Sequence, residues 1–254
     1  MSWNPDTYLA FANHRERPIA ELIARIPAID VANAVDLGCG TGNSTAALAT
    51  RFPNAKLMGV DNSPQMLATA RKDLPVAEWV EADIGAWQPP HSYDVILSNA
   101  ALHWVPGHDA LFARLIGALN PGGALAVQMP RNFTAPSHTL LHRTVEDGPW
   151  AAKTLPLLRR NPVDESTVYY DRLAPHMSHI DIWETTYVQV LEGEDAVFRW
   201  TSGTALTPFL EVLEGDERDE FCKAYKARLR TAYPRTTDGK TLFPFTRLFM
   251  VAMK

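Results

Sequence analysis

Residues Val35-Asp36-Leu37-Gly38-Cys39-Gly40-Thr41-Gly42 limit the possible folds more than any other stretch of the chain. Ala34, Val35 and Leu37 give the apolar run of a short buried strand, and three alternating glycines follow it. Glycine has no Cβ and tolerates positive φ, so such a turn lets the backbone come close to a ligand. A helix starting directly after the turn aims free amides at the same place. Ser44 to Phe52 fits that helix, with Ala47, Leu48 and Phe52 turned inward. The unit is therefore a strand, a cradle and a helix. A dinucleotide fingerprint needs its third glycine where Asn43 stands, so the pattern is G-x-G-x-G, which disfavours a nicotinamide site.

The same alternation runs on to Met129. Before the turn, Pro18 suits a first helical turn, and Ile19, Leu22, Ile23 and Ile26 share a helical face. After it, Lys56 to Asp61 reads as a strand, and Ser63-Pro64 supplies a cap and first-turn proline for a helix through Lys72. Strands are expected again at Ala77 to Ala82, Tyr93 to Ser98 and Ala124 to Met129. A helix carrying Leu111, Phe112, Leu115 and Leu119 precedes the last of these and is stopped by Pro121-Gly122-Gly123. Strands alternating with helices at this rhythm predict an α/β fold, a doubly wound and mostly parallel sheet whose ligands bind beyond the carboxyl ends of the strands.

The rhythm breaks after Pro130. Residues 131–180 are rich in Pro, His and Arg and read as a cap over the sheet, and Ile182 to Val190 resumes as a strand. Residues 192–241 form a second insertion, with an acidic run from Glu211 to Glu220 and a helix near Phe221, Tyr225 and Leu229. Phe245 to Met253 closes as a final strand, and one of the last two strands is expected to pair antiparallel at the sheet edge. The expected organisation is a single domain over 1–254, with a cofactor core at 30–130 and covering segments at 1–29, 131–180 and 192–241.

Bulk properties narrow the partners. With 254 residues, 46% of them hydrophobic, the chain can bury one large core. A net charge of −5 offers no general attraction to nucleic acid or anionic lipid. Cys39 and Cys222 sit in no disulfide framework or zinc spacing, and no apolar run nears the ~20 residues of a membrane span. A cytoplasmic protein acting on a small molecule is expected.

Around the glycine turn, five further positions suit an adenosyl cofactor. Asp61 ends the second strand, where a carboxylate accepts two hydrogen bonds from ribose hydroxyls. Met66, one helical turn on, suits an adenine face or the core equally well. In Glu81-Ala82-Asp83-Ile84, Asp83 suits the adenine amino group and the Ile84 amide a ring nitrogen. Asn99 leaves the carboxyl end of the fourth strand and joins this cofactor set.

The ordered set consists of the glycine turn, Asp61, Asp83, Asp94-Val95-Ile96 and Asn120-Pro121-Gly122-Gly123. It resembles the class I S-adenosylmethionine-dependent methyltransferases over residues 33–130. The resemblance implies a seven-stranded Rossmann-like sheet with an antiparallel seventh strand. It also implies that Gly38, Gly40 and Gly42 cradle the methionine part of S-adenosyl-L-methionine, that Asp61 holds the ribose, and that Asp83 and Ile84 hold the adenine. Similarity to members that esterify a small polycarboxylate continues from Trp3-Asn4-Pro5 and Tyr8 to Arg247-Leu248-Phe249.

An ionised carboxylate needs no base to attack a sulfonium methyl, so orientation and desolvation suffice and no catalytic residue is expected. Holding such an acceptor calls for arginines and hydrogen-bond donors. The candidates are Tyr8, Arg15 and Arg17 near the first helix, His103 and Trp104 after the fourth strand, Arg131 after the fifth, and Trp200 in the second insertion. His138 and His142 stand four apart without the acid of an H-E-x-x-H pattern, and no metal is assigned. A methyltransferase for another small acid or acyl group and a non-catalytic S-adenosylmethionine-binding module are the competing readings.

Overall fold

The computed structural model describes residues 12–159 and 161–254, and no side chain before Arg17. Two compact units emerge, one of residues 15–130, 163–185 and 247–254 and the other of residues 131–162 and 186–246. In chain order the elements are α1 (Ala12–Ala24), β1 (Asn33–Leu37), α2 (Asn43–Arg51), β2 (Lys56–Asp61), α3 (Pro64–Asp73), β3 (Glu78–Glu81), β4 (Tyr93–Asn99), α4 (His108–Gly117) and β5 (Leu119–Pro130). They continue with α5 (Pro136–Asp147), α6 (Ala151–Thr154), α7 (Ser166–Leu173), β6 (His179–Leu191), α8 (Ala196–Ser202), α9 (Thr207–Val212), α10 (Gly215–Ala232) and β7 (Thr241–Met253).

The seven strands form one sheet in the order β3-β2-β1-β4-β5-β7-β6. From β3 to β5 all pairs are parallel, whereas β7 runs antiparallel to β5, from Ala124 opposite Met253 to Pro130 opposite Arg247. Val35, Leu37, Val60, Ile96, Leu97, Leu125 and Val127 are completely buried, as a parallel sheet covered on both faces requires. The strand order reverses between β1 and β4, so the crevice for a ligand opens beyond Leu37 and Asn99.

Several boundaries differ from expectation, each for a local reason. Pro18 lies inside α1 instead of opening it. Its missing amide removes one helical bond, which a single turn can tolerate at about 3 kcal/mol. The helix bearing Leu111 ends at Gly117, and Leu119 already pairs with Tyr93 as the start of β5. A register shift between Tyr93 and Val95 absorbs the Asn120–Gly123 stretch. The final strand begins at Thr241, four residues early, and lies antiparallel to β5, between β5 and the edge strand β6.

Residues 15–29 and 163–180, expected in the covering segments, belong to the core unit. The α7 residue Tyr169 explains part of this: its hydroxyl is 2.6 Å from His108 Nδ1 and its ring packs on Phe112, both on α4. In α1, Glu21 accepts hydrogen bonds from Trp183 Nε1 and Thr185 Oγ1 on β6, at 2.8 and 2.7 Å.

The second unit has its own core, centred on Leu141, Val145, Trp150, Phe209, Phe221, Tyr225 and Phe243. Tyr225 donates to the Ser137 carbonyl, and the Ser137 amide donates to the Tyr233 hydroxyl, so the start of α5 is bound to α10 through buried polar groups. Arg228 fixes the other end of that pair through Thr144 and Asp147.

Candidate active site

The glycine turn takes the conformation its sequence requires. Gly38, Gly40 and Gly42 have φ of +76, +54 and +91°. A Cβ on Gly38 would stand 2.1 Å from the Ala101 Cβ, and one on Gly42 would meet Trp79 at 3.0 Å and Ala70 at 3.3 Å. The Val60 carbonyl receives both the Gly38 and Cys39 amides, tying the turn to β2. Asp61 completes the tie: its Oδ2 accepts from the Gly40 amide and its Oδ1 from the Ser63 amide, both at 2.9 Å. The carboxylate thus lies against the cradle, with lone pairs left over for a ligand. Met66 approaches from α3, its Sδ 3.4 Å from the Cβ position of Gly40.

Beyond β3, Asp83 accepts from the Gly85 amide at 2.8 Å, and its carbonyl receives the Ala86 and Trp87 amides, which winds this loop tightly. The Ile84 carbonyl accepts from Arg114 Nη2 on α4 at 2.8 Å, and the Ile84 side chain lies beside Gly38. The Asp83-Ile84 loop and the glycine turn therefore face one another. Asp94, a landmark of the sequence pattern, lies at the opposite, amino edge of the sheet. There it accepts from the Ala32 and Asn33 amides and from Asn120 Nδ2, so its part is to hold β1, β4 and β5 in register. Burial alone would raise its pKa, but the three hydrogen bonds win and hold it below the usual carboxylate value.

Past β4 the backbone is strained. Ala100 has φ +55°, a left-handed conformation that costs a non-glycine residue roughly 1 kcal/mol. Its amide is held by the Gln128 carbonyl at 2.9 Å, and the next residue, Ala101, fills the space that Gly38 leaves open. The short helical turn Leu102–Trp104 follows, with His103 only 9% exposed, Trp104 46% exposed and their rings 4.7 Å apart. Strain of this kind concentrates at ligand sites.

Of the expected acceptor-side residues, His103 and Trp104 sit beside the crevice of the core unit, and Arg17 is an exposed residue of α1 in the same unit. Tyr8 and the side chain of Arg15 lie outside the described residues. Arg131 and Trp200 belong to the second unit. There Trp200 is 5% exposed and packs its ring against Phe243 and Phe245, so the structure gives it a packing role. Among the described residues, no group of three or more His, Cys, Asp or Glu could hold a metal ion.

Sequence reasoning passed over several residues of this site. Asp36, behind the turn, is fully buried, and its Oδ2 accepts from Ser44 Oγ at 2.6 Å and Thr45 Oγ1 at 2.7 Å. Burial pushes its pKa up to about 6 against those two hydrogen bonds, with a smaller push from Asp61. Trp79 covers Gly42 and Gly59, whose missing side chains make room for the indole. A glycine inside a strand pattern was the available signal for Gly59. Gln128 and Arg247 carried no such signal. Cys39 lies within the turn, but burial drives its thiol pKa far above the ordinary range and keeps it protonated.

The residues fit an adenosyl-sulfonium cofactor. The cradle is open where a Cβ would close it, two acidic loops flank it, and buried Asn99 Oδ1 at its rim has no hydrogen-bond partner among the described residues. Fold and site together define an S-adenosylmethionine-dependent methyltransferase. A family model described as a methyltransferase domain matches residues 34–123. Two solved structures share the fold: the YcgJ protein from Bacillus subtilis (TM-score 0.61, 11% identity, 94% of this chain and 98% of that one) and a Haemonchus contortus phosphoethanolamine N-methyltransferase 2 in complex with S-adenosyl-L-methionine (TM-score 0.55, 18% identity, 94% and 52%).

Sequence relatives are much nearer. A trans-aconitate 2-methyltransferase of Azoarcus sp. strain BH72 is 47% identical over 253 residues, covering all of this chain and 99% of the relative. Another, from Rhizobium rhizogenes strain K84, is 41% identical over 255 residues, covering the whole of both. The chain belongs to the trans-aconitate 2-methyltransferase family.

Proposed function

We propose that this protein transfers the methyl group of S-adenosyl-L-methionine to a carboxylate oxygen of trans-aconitate, giving a monomethyl ester and S-adenosyl-L-homocysteine. The observation that carries the reading is whole-length similarity: the alignment to a relative so named, at 47% identity, covers the second unit as well as the cofactor core, so the likeness is not confined to the shared cofactor fold. Gly38, Gly40 and Gly42 cradle the methionine part, Asp61 takes the ribose hydroxyls, Asp83 and the Ile84 amide take the adenine, and Met66 and Asn99 line the rim.

The bound cofactor supplies a sulfonium-activated methyl group. The protein contributes position and desolvation. The acceptor is ionised at neutral pH and attacks in line, so no side chain has to remove a proton. His103 donates a hydrogen bond to an acceptor carboxylate, Trp104 closes one side, and Arg15 and Arg17 supply charge to the remaining carboxylates. We place the reaction in a reducing cytoplasm, in keeping with the two free cysteines; no helix among the described residues is long and apolar enough to cross a membrane.

The test is incubation with methyl-labelled cofactor and trans-aconitate, followed by mass spectrometry of the acid fraction. A product one methyl heavier supports the assignment. Label passing only to other small acids moves the acceptor within the class, and cofactor binding without transfer to any acid overturns the enzymatic reading.

A further inference from the structure

Two buried polar atoms on neighbouring strands lack partners among the described residues, and they need opposite ones. Asn99 ends β4 and Gln128 stands directly across from it on β5. Asn99 Oδ1 wants a donor, whereas Gln128 Nε2 wants an acceptor, and neither finds one. Gln128 is completely buried, and leaving such a group unsatisfied is costly. Its amide cannot simply turn over: Arg247 Nη1 donates to Gln128 Oε1 at 3.1 Å, which fixes Oε1 toward the guanidinium and leaves Nε2 as the presented donor. Arg247 is 6% exposed and lies opposite Pro130, at the carboxyl end of β5. The pair therefore brings a buried positive charge and an oriented amide to the edge of the sheet where ligands bind.

We infer that Gln128 and Arg247 form a carboxylate-binding subsite for the methyl acceptor, with Asn99 beside it facing the cofactor's ammonium group. This rests on the acceptor being a small polycarboxylate, as proposed above. The opposite polarity of the two atoms fits that division: the ammonium completes Asn99 Oδ1, and an acceptor carboxylate oxygen completes Gln128 Nε2. Both atoms are closed to solvent, so the ligands that satisfy them are engulfed in a dry setting where a hydrogen bond to a charge is strongest. Arg247 is a positioning residue, acting through the Gln128 amide and through its charge. Since Asn99 and Gln128 are register partners, the subsite sets an acceptor carboxylate beside the methyl donor with no further element between them.

Titration calorimetry of trans-aconitate into the protein saturated with S-adenosylhomocysteine tests this with Q128E, Q128L and R247M. In Q128E the new carboxylate can pair with Arg247, which favours folding, but it presents oxygen to the acceptor where nitrogen stood. Loss of a hydrogen bond to a charged group predicts a weakening on the order of 10- to 100-fold, larger for Q128E than for Q128L. Affinity for S-adenosylhomocysteine should stay within about threefold in all variants. In R247M, KM should rise while kcat at saturating acceptor stays within about threefold, a split that general loosening of the fold would not give. Unchanged acceptor affinity in Q128E, or cofactor affinity falling in step with it, overturns the subsite. If Q128E does not fold, Q128L and R247M give the same reading. Wild-type protein that binds a different small acid, with that binding lost in Q128E, corrects the acceptor but supports the subsite. Wild-type protein that binds no carboxylate overturns both.

Discussion

Asp36 makes the fold pay for its location, and the amount can be worked out. Its carboxyl is fully buried behind the glycine turn with a pKa near 6, against 3.8 for an unperturbed aspartate. Below pH ~3.8 it is protonated in both folded and unfolded chains and makes no difference. As pH rises toward 6 the unfolded chain ionises first, so folding loses stability, and above pH ~6 the loss is complete. A shift of about two units at 1.36 kcal/mol per unit gives roughly 3 kcal/mol.

An Asp36→Asn variant has the same shape, keeps an oxygen for the Ser44 and Thr45 hydroxyls, and does not titrate. Its stability relative to wild type should therefore rise by roughly 3 kcal/mol between pH 4 and pH 7, or about 6–12 °C in Tm for a chain of this size. Other titrating groups cancel in the difference. Urea unfolding of both proteins across that range is the assay, followed by far-ultraviolet circular dichroism. A wild-type-minus-variant difference that stays flat within ~0.5 kcal/mol would refute the account, and one that rises with pH would reverse its sign.

The other predictions concern the cradle, its register and the acceptor. Gly38→Ala, with φ +76° and a Cβ 2.1 Å from that of Ala101, should abolish S-adenosylhomocysteine binding by calorimetry. Gly117→Ala, at a helical position with nothing within 4 Å, should instead gain about 0.4–1 kcal/mol in urea unfolding. Asp61→Ala should weaken S-adenosylhomocysteine by at least tenfold, a smaller loss counting against its ribose role. His103→Ala should raise the acceptor KM more than tenfold with little change for the cofactor, and equal effects on both would remove it from the acceptor side. Asp94→Ala leaves two amides and Asn120 without their acceptor and should cost about 2–3 kcal/mol of stability without altering cofactor affinity.

The alternation of strands and helices from Asn33 to Pro130 was legible because buried parallel strands read as short apolar runs and the turns between them need glycine or proline. The glycine turn and Asp61 were legible for the same reason: they answer to backbone geometry, which leaves a local signature. Asp36 was hidden because a buried acid looks in sequence like any other residue of a strand, and only Ser44 and Thr45, one turn into α2, make it tolerable. Gln128 and Arg247 meet across 119 positions, and no local pattern encodes such a pairing. Asp94 was legible as a landmark of the fourth strand, but the order of motifs does not tell on which end of the strand its side chain falls. The α7 segment was expected among the covering segments because residues 131–180 are rich in Pro, His and Arg with little periodicity, and the contact of Tyr169 with His108 is one that spacing alone does not show.

The antiparallel return of β7 has a consequence for how such a protein can change. The chain first leaves the core unit at Pro130 and returns to it for the last time at Arg247, having contributed residues 163–185 in between, and Pro130 and Arg247 are register partners in adjacent strands. Just beyond them, the Arg131 amide donates to the Thr246 carbonyl, clasping the outgoing and returning chains. The excursion of residues 186–246 begins and ends at one place, the Thr186 and Thr246 hydroxyls lying 2.9 Å apart, so lengthening or replacing parts of it adds little closure entropy, about 0.6 kcal/mol for each doubling in length. Natural variation can therefore recast residues 186–246 toward new acceptors while the residues of the core unit that serve the methyl donor are inherited unchanged.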